Sequence, residues 1–518
     1  MRNKRIAVIG LGVSNTPLIK YIAALGANVT VFDKADEIRL SRFINELKGF
    51  DVKYSLGPDY LDRLSGFDIV FKTPIVRFDI PELLSEKARG AQITSEMEAF
   101  LDLCPAMVFG VTGSDGKTTT TTLIYEMLKT DGYNCWLGGN IGIPLFDKLD
   151  LIKPDDAVVL ELSSFQLQTI RKSTAVAVVT NLSPNHLDVH KSYQEYIDSK
   201  KNIFLHQSKT GLCVLNYDCE ASTALTPEIK GGLSLFSLTG DISHIDCDSC
   251  AYVKDGVIFY CGRSSKKVMN AASNTSGANG GHFGRGGAWS ENCISGEHGS
   301  SRSGNYDGGN SNGDSGGGNS GPIPEALMEV GEIRLRGFHN VANYLAAICA
   351  VKAYVRDSSI RKVAASFPGV EHRLEQFRSI GGVNFYNDSI ATSPSRTIAC
   401  LNSFDERIIL IAGGKDKGLD YSVLGKYLAE KVKVLVLCGS TSRKIKDALL
   451  SYCAKTGIDC TIPIMECNNL ADAVTKAWEN ASGNDCVVLS PAGTSFDQFL
   501  NFEERGNTFK KLVNEIYP

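Results

Sequence analysis

Residues 110–120 read Gly-Val-Thr-Gly-Ser-Asp-Gly-Lys-Thr-Thr-Thr, set between the apolar run PAMVFGV and the segment TTTTLIYEML. The apolar run reads as a buried strand and the later segment as a helix. A strand, a glycine turn and a helix in that order commit this stretch to an α/β unit. The turn also prescribes a chemistry. Gly110, Gly113 and Gly116 let backbone N–H groups point at an anion, Lys117 adds a point charge, and Thr118 offers a hydroxyl to Mg²⁺. The N-terminus of the helix faces the same phosphates. The spacing departs from the standard pattern, because Val111 stands five residues before Gly116 and the nearest glycine, Gly110, is one position early. A purely structural glycine turn is the alternative, but Gly-Lys-Thr between strand and helix favours a phosphate cradle.

The same α/β logic recurs along the chain. Residues 1 to about 100 alternate the apolar runs RIAVIG, VTVFD, DVKYS and DIVFKTP with helical stretches, which predicts a parallel sheet. A second unit begins near Cys104 and holds the phosphate loop, the strands AVVLELSS and AVAVVTNL, and a helix through Tyr193 to Phe204. From Asn270 to about Pro322 the composition collapses into Gly, Ser and Asn with almost no aliphatic residues. Such a segment buries too little apolar surface to offset its ordering entropy. It reads as a disordered insertion between a β-hairpin, AYVKDGVIFYCG, and a strand, EIRLRG. A third α/β unit follows with strands VNFYND, RIILIAGG, VKVLVLCG and CVVLSPA. The 518 residues suit about three domains.

Bulk properties remove several classes of function. A net charge of −4 and a pI near 6.1 give no basic field, so no nucleic-acid partner is expected. No run of 18 apolar residues occurs, so no membrane-spanning helix is expected. The start, MRNKRIAVIGLG, is interrupted by glycines and reads as a first strand rather than a signal peptide. The 15 cysteines lie scattered in apolar stretches, which suggests reduced thiols in a cytoplasm. His244, Cys247, Cys250 and Cys261 can be written as a metal-ligand set, and equally as a hairpin that carries thiols.

Other candidates are ambiguous taken singly. Gly10-Leu11-Gly12-Val13-Ser14-Asn15, with Asp33 ending the next strand, resembles a dinucleotide fingerprint, but Asn15 takes the third glycine position. NAD, a structural turn and another nucleotide all remain open for it. Glu161 ends a strand beside the phosphate loop, where a Mg²⁺ ligand would sit, or else it is a solvated strand end. His186, in NLSPNHLD, is a candidate ligand or a core histidine, and Lys200 and Lys201 are exposed helix lysines by default.

Together, the phosphate loop, GGNIG, LELSSFQL, NHLD and a later HN stand in the order of the Mur ligase superfamily, which the chain resembles outside the insertion. NDSIAT at 387–392, GGKDKGLDY at 413–421 and SPAGTSFDQFLNFEERG at 490–506 resemble the members that add D-glutamate to UDP-N-acetylmuramoyl-L-alanine. The resemblance implies an α/β fold of three domains. These are a Rossmann-like UDP-substrate domain over 1–101, a central P-loop ATPase-like domain over 102–357, and a Rossmann-like amino-acid domain over 358–518. It implies ATP and two Mg²⁺ ions, small-molecule substrates, and a cytoplasmic monomer. In that family, ATP phosphorylates a carboxylate and the amine of D-glutamate attacks the acyl phosphate.

By the same resemblance, Gly113, Ser114, Asp115, Gly116, Lys117, Thr118 and Thr119 hold the ATP phosphates, and Thr118 and Glu161 hold the first Mg²⁺. Asn140 polarises the transferring phosphate. His186 and a carbamylated Lys200 serve a second ion, with Lys201 as the fallback. Asn340 and Asn343 match the adenine segment, His372 and Arg373 the phosphate contacts, and Asp388 the ribose ligand. Thr392, Lys417, Ser495 and Phe502 match positions that hold the D-glutamate carboxylates. Val13, Ser14, Asp33 and Lys34 match the UDP-facing positions. Two departures stand out. Ile390 occupies a position where many relatives have lysine, and Thr73-Pro74-Ile75 replaces a Ser-Pro-Gly turn on the uridine side. A sister ligase, acting on another amino acid or on folate, and a catalytically silent nucleotide-binding scaffold are the competing readings.

Overall fold

The structure is a computed structural model that describes residues 2–185, 189–262 and 324–516. Its first sheet has five parallel strands in the order Val52–Leu56, Asn28–Asp33, Arg5–Ile9, Ile69–Lys72, Gln92–Thr94. Strand order reverses between Arg5–Ile9 and Ile69–Lys72, and the crevice at their C-terminal ends is where such sheets take ligands.

The second sheet has nine strands. Its strand Met107–Thr112 is buried throughout and runs parallel between Ala157–Glu161 and Val176–Val179. Neighbours on both edges and packing on both faces explain its unbroken apolar sequence. Beyond Ser249–Lys254 the sheet turns antiparallel through Val257–Gly262 and Glu325–Glu329. A shared core joins the first two sheets and their helices, with Tyr21 edge-on to Phe146 at 5.4 Å.

The third sheet begins with the antiparallel pair Glu375–Ile380 and Val383–Asn387. It continues with the parallel strands Cys486–Leu489, Ile408–Ala412, Val432–Cys438 and Ile464–Cys467. The chain forms two compact units, Met1–Val330 with Ala342–Arg361, and Gly331–Val341 with Lys362–Pro518. Among the described residues no helix is long and apolar enough to cross a membrane.

Three local expectations change. The strand expected at EIRLRG is a short 3-10 turn, Val330–Glu332, followed by a loop, and the strand lies at Glu325–Glu329. That segment is the one paired with the open edge of Val257–Gly262, so tertiary pairing overrides the alternating pattern of EIRLR. The helix from Tyr193 ends at Lys201 rather than Phe204. Cys250 faces Cys261 across the hairpin and both are buried in the core, which favours the thiol-bearing hairpin over a metal-ligand set. No group of three His, Cys, Asp or Glu side chains among the described residues is arranged to hold a metal ion. The insertion expected at 270–322 lies outside the described residues.

Candidate active site

The strand Met107–Thr112 delivers the chain into the turn, and the helix Lys117–Asp131 leaves it. Gly113 and Gly116 adopt φ of +146° and +77°, which L side chains rarely reach. A Cβ on Gly113 would sit 1.9 Å from Thr180 Oγ1, and one on Gly116 would sit 2.2 Å from Asn343 Oδ1. Asn181 clamps the turn: its Oδ1 accepts from the N–H of Ser114 at 3.1 Å and of Asp115 at 2.9 Å. Two loop amides are thus engaged within the protein, and the first turn of the helix supplies the remaining orphan donors. Lys117 folds back so that Nζ donates to the carbonyls of Gly113 at 3.1 Å and Ser114 at 2.9 Å. Thr120 Oγ1 donates to Asn343 Oδ1 at 3.3 Å, so Asn343 lies at the foot of the cradle.

Glu161 sits beside Val111 across the sheet and is buried. Its Oε1 accepts from Asn140 Nδ2 at 2.8 Å, while Oε2 is buried without a hydrogen-bond partner. A buried carboxylate oxygen left unsatisfied is costly, and a cation beside a phosphate cradle would relieve that cost. Glu161 therefore fits a first Mg²⁺, an ion that binds through one or two carboxylates plus substrate phosphates. The backbone fixes the Glu161–Asn140 pair: Asn140 N–H donates to Glu161 O at 2.8 Å, and a Cβ on Gly139 would lie 2.1 Å from that oxygen. His186 lies outside the described residues.

The two adjacent lysines separate sharply. Lys200 is 2% exposed, with Nζ donating to Gly113 O at 2.7 Å and Thr112 Oγ1 at 3.3 Å and lying 4.6 Å from the centre of the Tyr196 ring. Burial, reinforced by the charge of Lys117, pushes its amine well below the usual lysine range. Lys201 turns the other way into ion pairs with Asp198 at 3.0 Å and Glu228 at 2.7 Å. Tyr196 Oη also meets Ser114 Oγ at 2.9 Å, which ties this helix to the phosphate loop.

A cavity of about 430 Å³ opens at the crevice of the first sheet and is lined by Val13, Ser14, Asp33 and Lys34, together with Thr73, Pro74 and Ile75. Asp33 holds the turn through the N–H of Leu11 at 2.7 Å and of Ala35 at 2.8 Å. Asn15 replaces the third glycine by folding its amide back onto Gly10 O at 2.8 Å. Gly10 needs its φ of +91° and its bare Cα, because a Cβ would lie 3.0 Å from Thr73 Cβ. Sequence reasoning missed Lys72, Glu96, Phe165 and Gln166, which line the same cavity. Lys72 is buried and burial pushes it down to about 8, while burial raises Glu96 to about 8. The one signal for Lys72 is a cation closing the apolar strand IVFK.

The second unit gathers its expected residues at the C-terminal ends of its strands. His372, at φ +62°, meets Asn387 Nδ2 at 2.9 Å through Nδ1 and packs edge-on to Phe502 at 5.9 Å. Asp388 is buried, accepts from Leu374 N–H at 3.2 Å and Ser490 Oγ at 2.8 Å, and is raised to about 6 by burial. Ser495 is buried next to Thr494, which bridges to Lys415. Lys417 is exposed on the loop that follows. Thr392 and Arg373 flank the same strand ends, Thr392 N–H donating to Ile390 O at 2.8 Å. The Arg396 guanidinium donates to the Ile390 carbonyl at 3.0 Å. Asn340 belongs to this unit and donates to Arg336 O at 2.6 Å. Arg505 was not anticipated: it is buried and donates to Ser389 and Gly493.

The chain resembles known proteins along its length. Residues 111–277 match the Mur ligase middle domain and residues 372–493 the Mur ligase, glutamate ligase domain. The chain is 47% identical to the UDP-N-acetylmuramoylalanine–D-glutamate ligase of Ruminiclostridium cellulolyticum, over 100% of this chain and 97% of that one. It is 48% identical to the enzyme of the same name from Acetivibrio thermocellus, with the same coverage. The UDP-N-acetylmuramate-alanine ligase of Thermotoga maritima shares the fold, with a TM-score of 0.51 at 17% identity over 99% of this chain and 100% of that one. Near-half identity along the entire length, on a fold whose phosphate loop, Glu161 and Lys200 come together, means that this chain belongs to the UDP-N-acetylmuramoylalanine–D-glutamate ligase family of Mur ligases.

Proposed function

We propose that the chain uses ATP to join D-glutamate to UDP-N-acetylmuramoyl-L-alanine through an acyl phosphate, in the synthesis of peptidoglycan precursors. The observation that carries this reading is Lys200, an amine buried against the phosphate loop with its proton affinity depressed by burial and by Lys117. Only an uncharged amine adds CO₂, so this lysine is suited to become a carbamate, whereas Lys201 is tied up in ion pairs.

In this reading Lys117 meets the β- and γ-phosphates, Thr118 and Glu161 would hold one Mg²⁺, and His186 with carbamylated Lys200 would hold a second. When bound, Mg²⁺ neutralises phosphate charge. Asn140, held by Glu161, hydrogen-bonds the transferring phosphoryl group. The alanine carboxylate attacks the γ-phosphorus and ADP leaves. The D-glutamate amine then attacks the acyl carbon, and inorganic phosphate departs with one oxygen of the former carboxylate. Positioning and charge stabilisation supply most of the acceleration.

Val13, Ser14, Asp33 and Lys34 take the UDP group, a role supported by the cavity they line. Asn340 and Asn343 serve adenine, Asp388 the ribose, and His372 and Arg373 the phosphates. Thr392, Lys417, Ser495 and Phe502 take the D-glutamate carboxylates. The chain acts as a cytoplasmic monomer on small molecules. The test is isotopic: with ¹⁸O in the alanine carboxylate, one label per turnover should appear in the released phosphate. Unlabelled phosphate would refute the acyl-phosphate route.

A further inference from the structure

Arg77 lies just beyond the Thr73-Pro74-Ile75 turn and belongs to none of the sequence motifs. It follows Ile75 and Val76, which line the cavity of the first sheet, and all of its guanidinium nitrogens are engaged. Nε and Nη2 grip Asp79 at 2.8 and 3.1 Å. Nη1 donates to Val189 O at 2.5 Å, 112 residues away. Nη2 also pairs with Glu195 Oε1 at 3.1 Å. Asp79, held well below the usual carboxylate range by Arg77 and then by Lys191, fixes the fork in place.

Glu195 stands in the first turn of the helix Tyr193–Lys201. Its carboxylate further accepts from Gln168 Nε2 at 3.1 Å and from Lys191 N–H at 3.2 Å. Tyr196, the next residue, meets Ser114, and Lys200, in the last turn, reaches the Gly113 carbonyl. A second strand of contacts runs alongside. Phe165, from the cavity wall, stacks on His190 at 5.2 Å, and His190 packs edge-on to Tyr196 at 5.4 Å.

We propose that Arg77 is a positioning residue that sets where Lys200 and Tyr196 meet the phosphate loop, by fastening the start of their helix to the chain segment that walls the cavity of the first sheet. A nine-residue helix is stiff, so slack at its first turn moves the amine at its last. Misplacement of a reacting group by about 1 Å costs about a hundredfold in rate. The guanidinium supplies a planar fork that a lysine cannot reproduce. The fold does not depend on this fastening, because the first two sheets share a core through Tyr21 and Phe146. This inference rests on the catalytic reading of Lys200.

The experiment compares full-length wild type, Arg77→Ala, Arg77→Lys, Glu195→Gln and the Arg77→Ala/Glu195→Gln double variant. It measures kcat, KM for UDP-N-acetylmuramoyl-L-alanine and for ATP, and the thermal midpoint. In Arg77→Ala, kcat should fall at least about tenfold, with both KM values within about threefold of wild type and the midpoint within about 3 °C. Arg77→Lys should recover part of the loss, Glu195→Gln should fall in the same direction, and the double variant should be no worse than Arg77→Ala. A kcat within about twofold of wild type, a rise in KM alone, or additive losses would overturn the proposal. Should Arg77→Ala fail to fold, Arg77→Lys and Glu195→Gln decide it by the same split. Failure of wild type to turn over at all would overturn the ligase reading instead.

Discussion

Lys72 offers a prediction whose size follows from the structure. It is 1% exposed, its Nζ has one long hydrogen bond, to Thr73 O at 3.4 Å, and burial lowers it from 10.5 to about 8. At about 1.4 kcal/mol for each tenfold change in proton affinity, the buried charge costs the folded state about 3 kcal/mol. Below about pH 8 folded and unfolded chains both hold the proton, and the cost is fully present. Between about 8 and 10.5 the unfolded chain keeps a proton that the folded chain has released, so this group makes stability rise with pH. Above that window the cost is gone. Lys72→Met removes it at every pH. At pH 7.5 the variant's thermal midpoint should exceed that of wild type by about 6 °C, and the difference should shrink towards zero by pH 10.5. Other titrating groups cancel in that difference. The substitution is also expected to weaken binding of the anionic UDP substrate, a trade of function for stability. Equal midpoints at pH 7.5, or a gap that does not close with pH, would show that Lys72 carries no buried charge at a cost to the fold.

Three further outcomes follow from named contacts. Gly139→Ala would place a Cβ 2.1 Å from Glu161 O at a φ of +92°, so strain of about 1–3 kcal/mol should displace Asn140 and lower kcat about tenfold or more; unchanged steady-state kinetics would contradict this. Lys200→Ala should lose turnover, and short-chain carboxylic acids should partly restore it by replacing the carbamate; an activity assay showing no rescue at any acid concentration would rule the carbamate out. Tyr260 pairs with Glu325 across the ribbon, so residues 263–323 connect neighbouring strand ends. Replacing them with a short turn should leave kcat within about twofold, and loss of turnover would give that segment a catalytic role.

The central strands were legible because burial on both faces leaves an unbroken apolar run, as in Met107–Thr112 and Ile408–Ala412. Glu325–Glu329 was not, since EALME is built of helix formers and becomes a strand only by pairing with Val257–Gly262. Motif order and spacing brought out Lys117, Glu161 and the turn at Gly10. The resemblance put Lys200 ahead of Lys201, but which of the two faces the phosphate loop is set by the packing of one helix, which leaves no mark on adjacent identical residues. Asn181 clamps two amides of the phosphate loop and Asn15 folds its amide onto the Gly10 turn, side-chain contacts that neither motif contains. Arg77 and Arg505 act through partners more than a hundred residues away, a distance at which no local pattern forms.

Coupling of ATP cleavage to the formation of one amide bond is read out by a substrate-omission assay of ADP release. Release should require ATP, UDP-N-acetylmuramoyl-L-alanine and D-glutamate together, with one amide-linked product per ADP. Turnover with L-lysine or a diaminopimelate in place of D-glutamate, and none with D-glutamate, would contradict it.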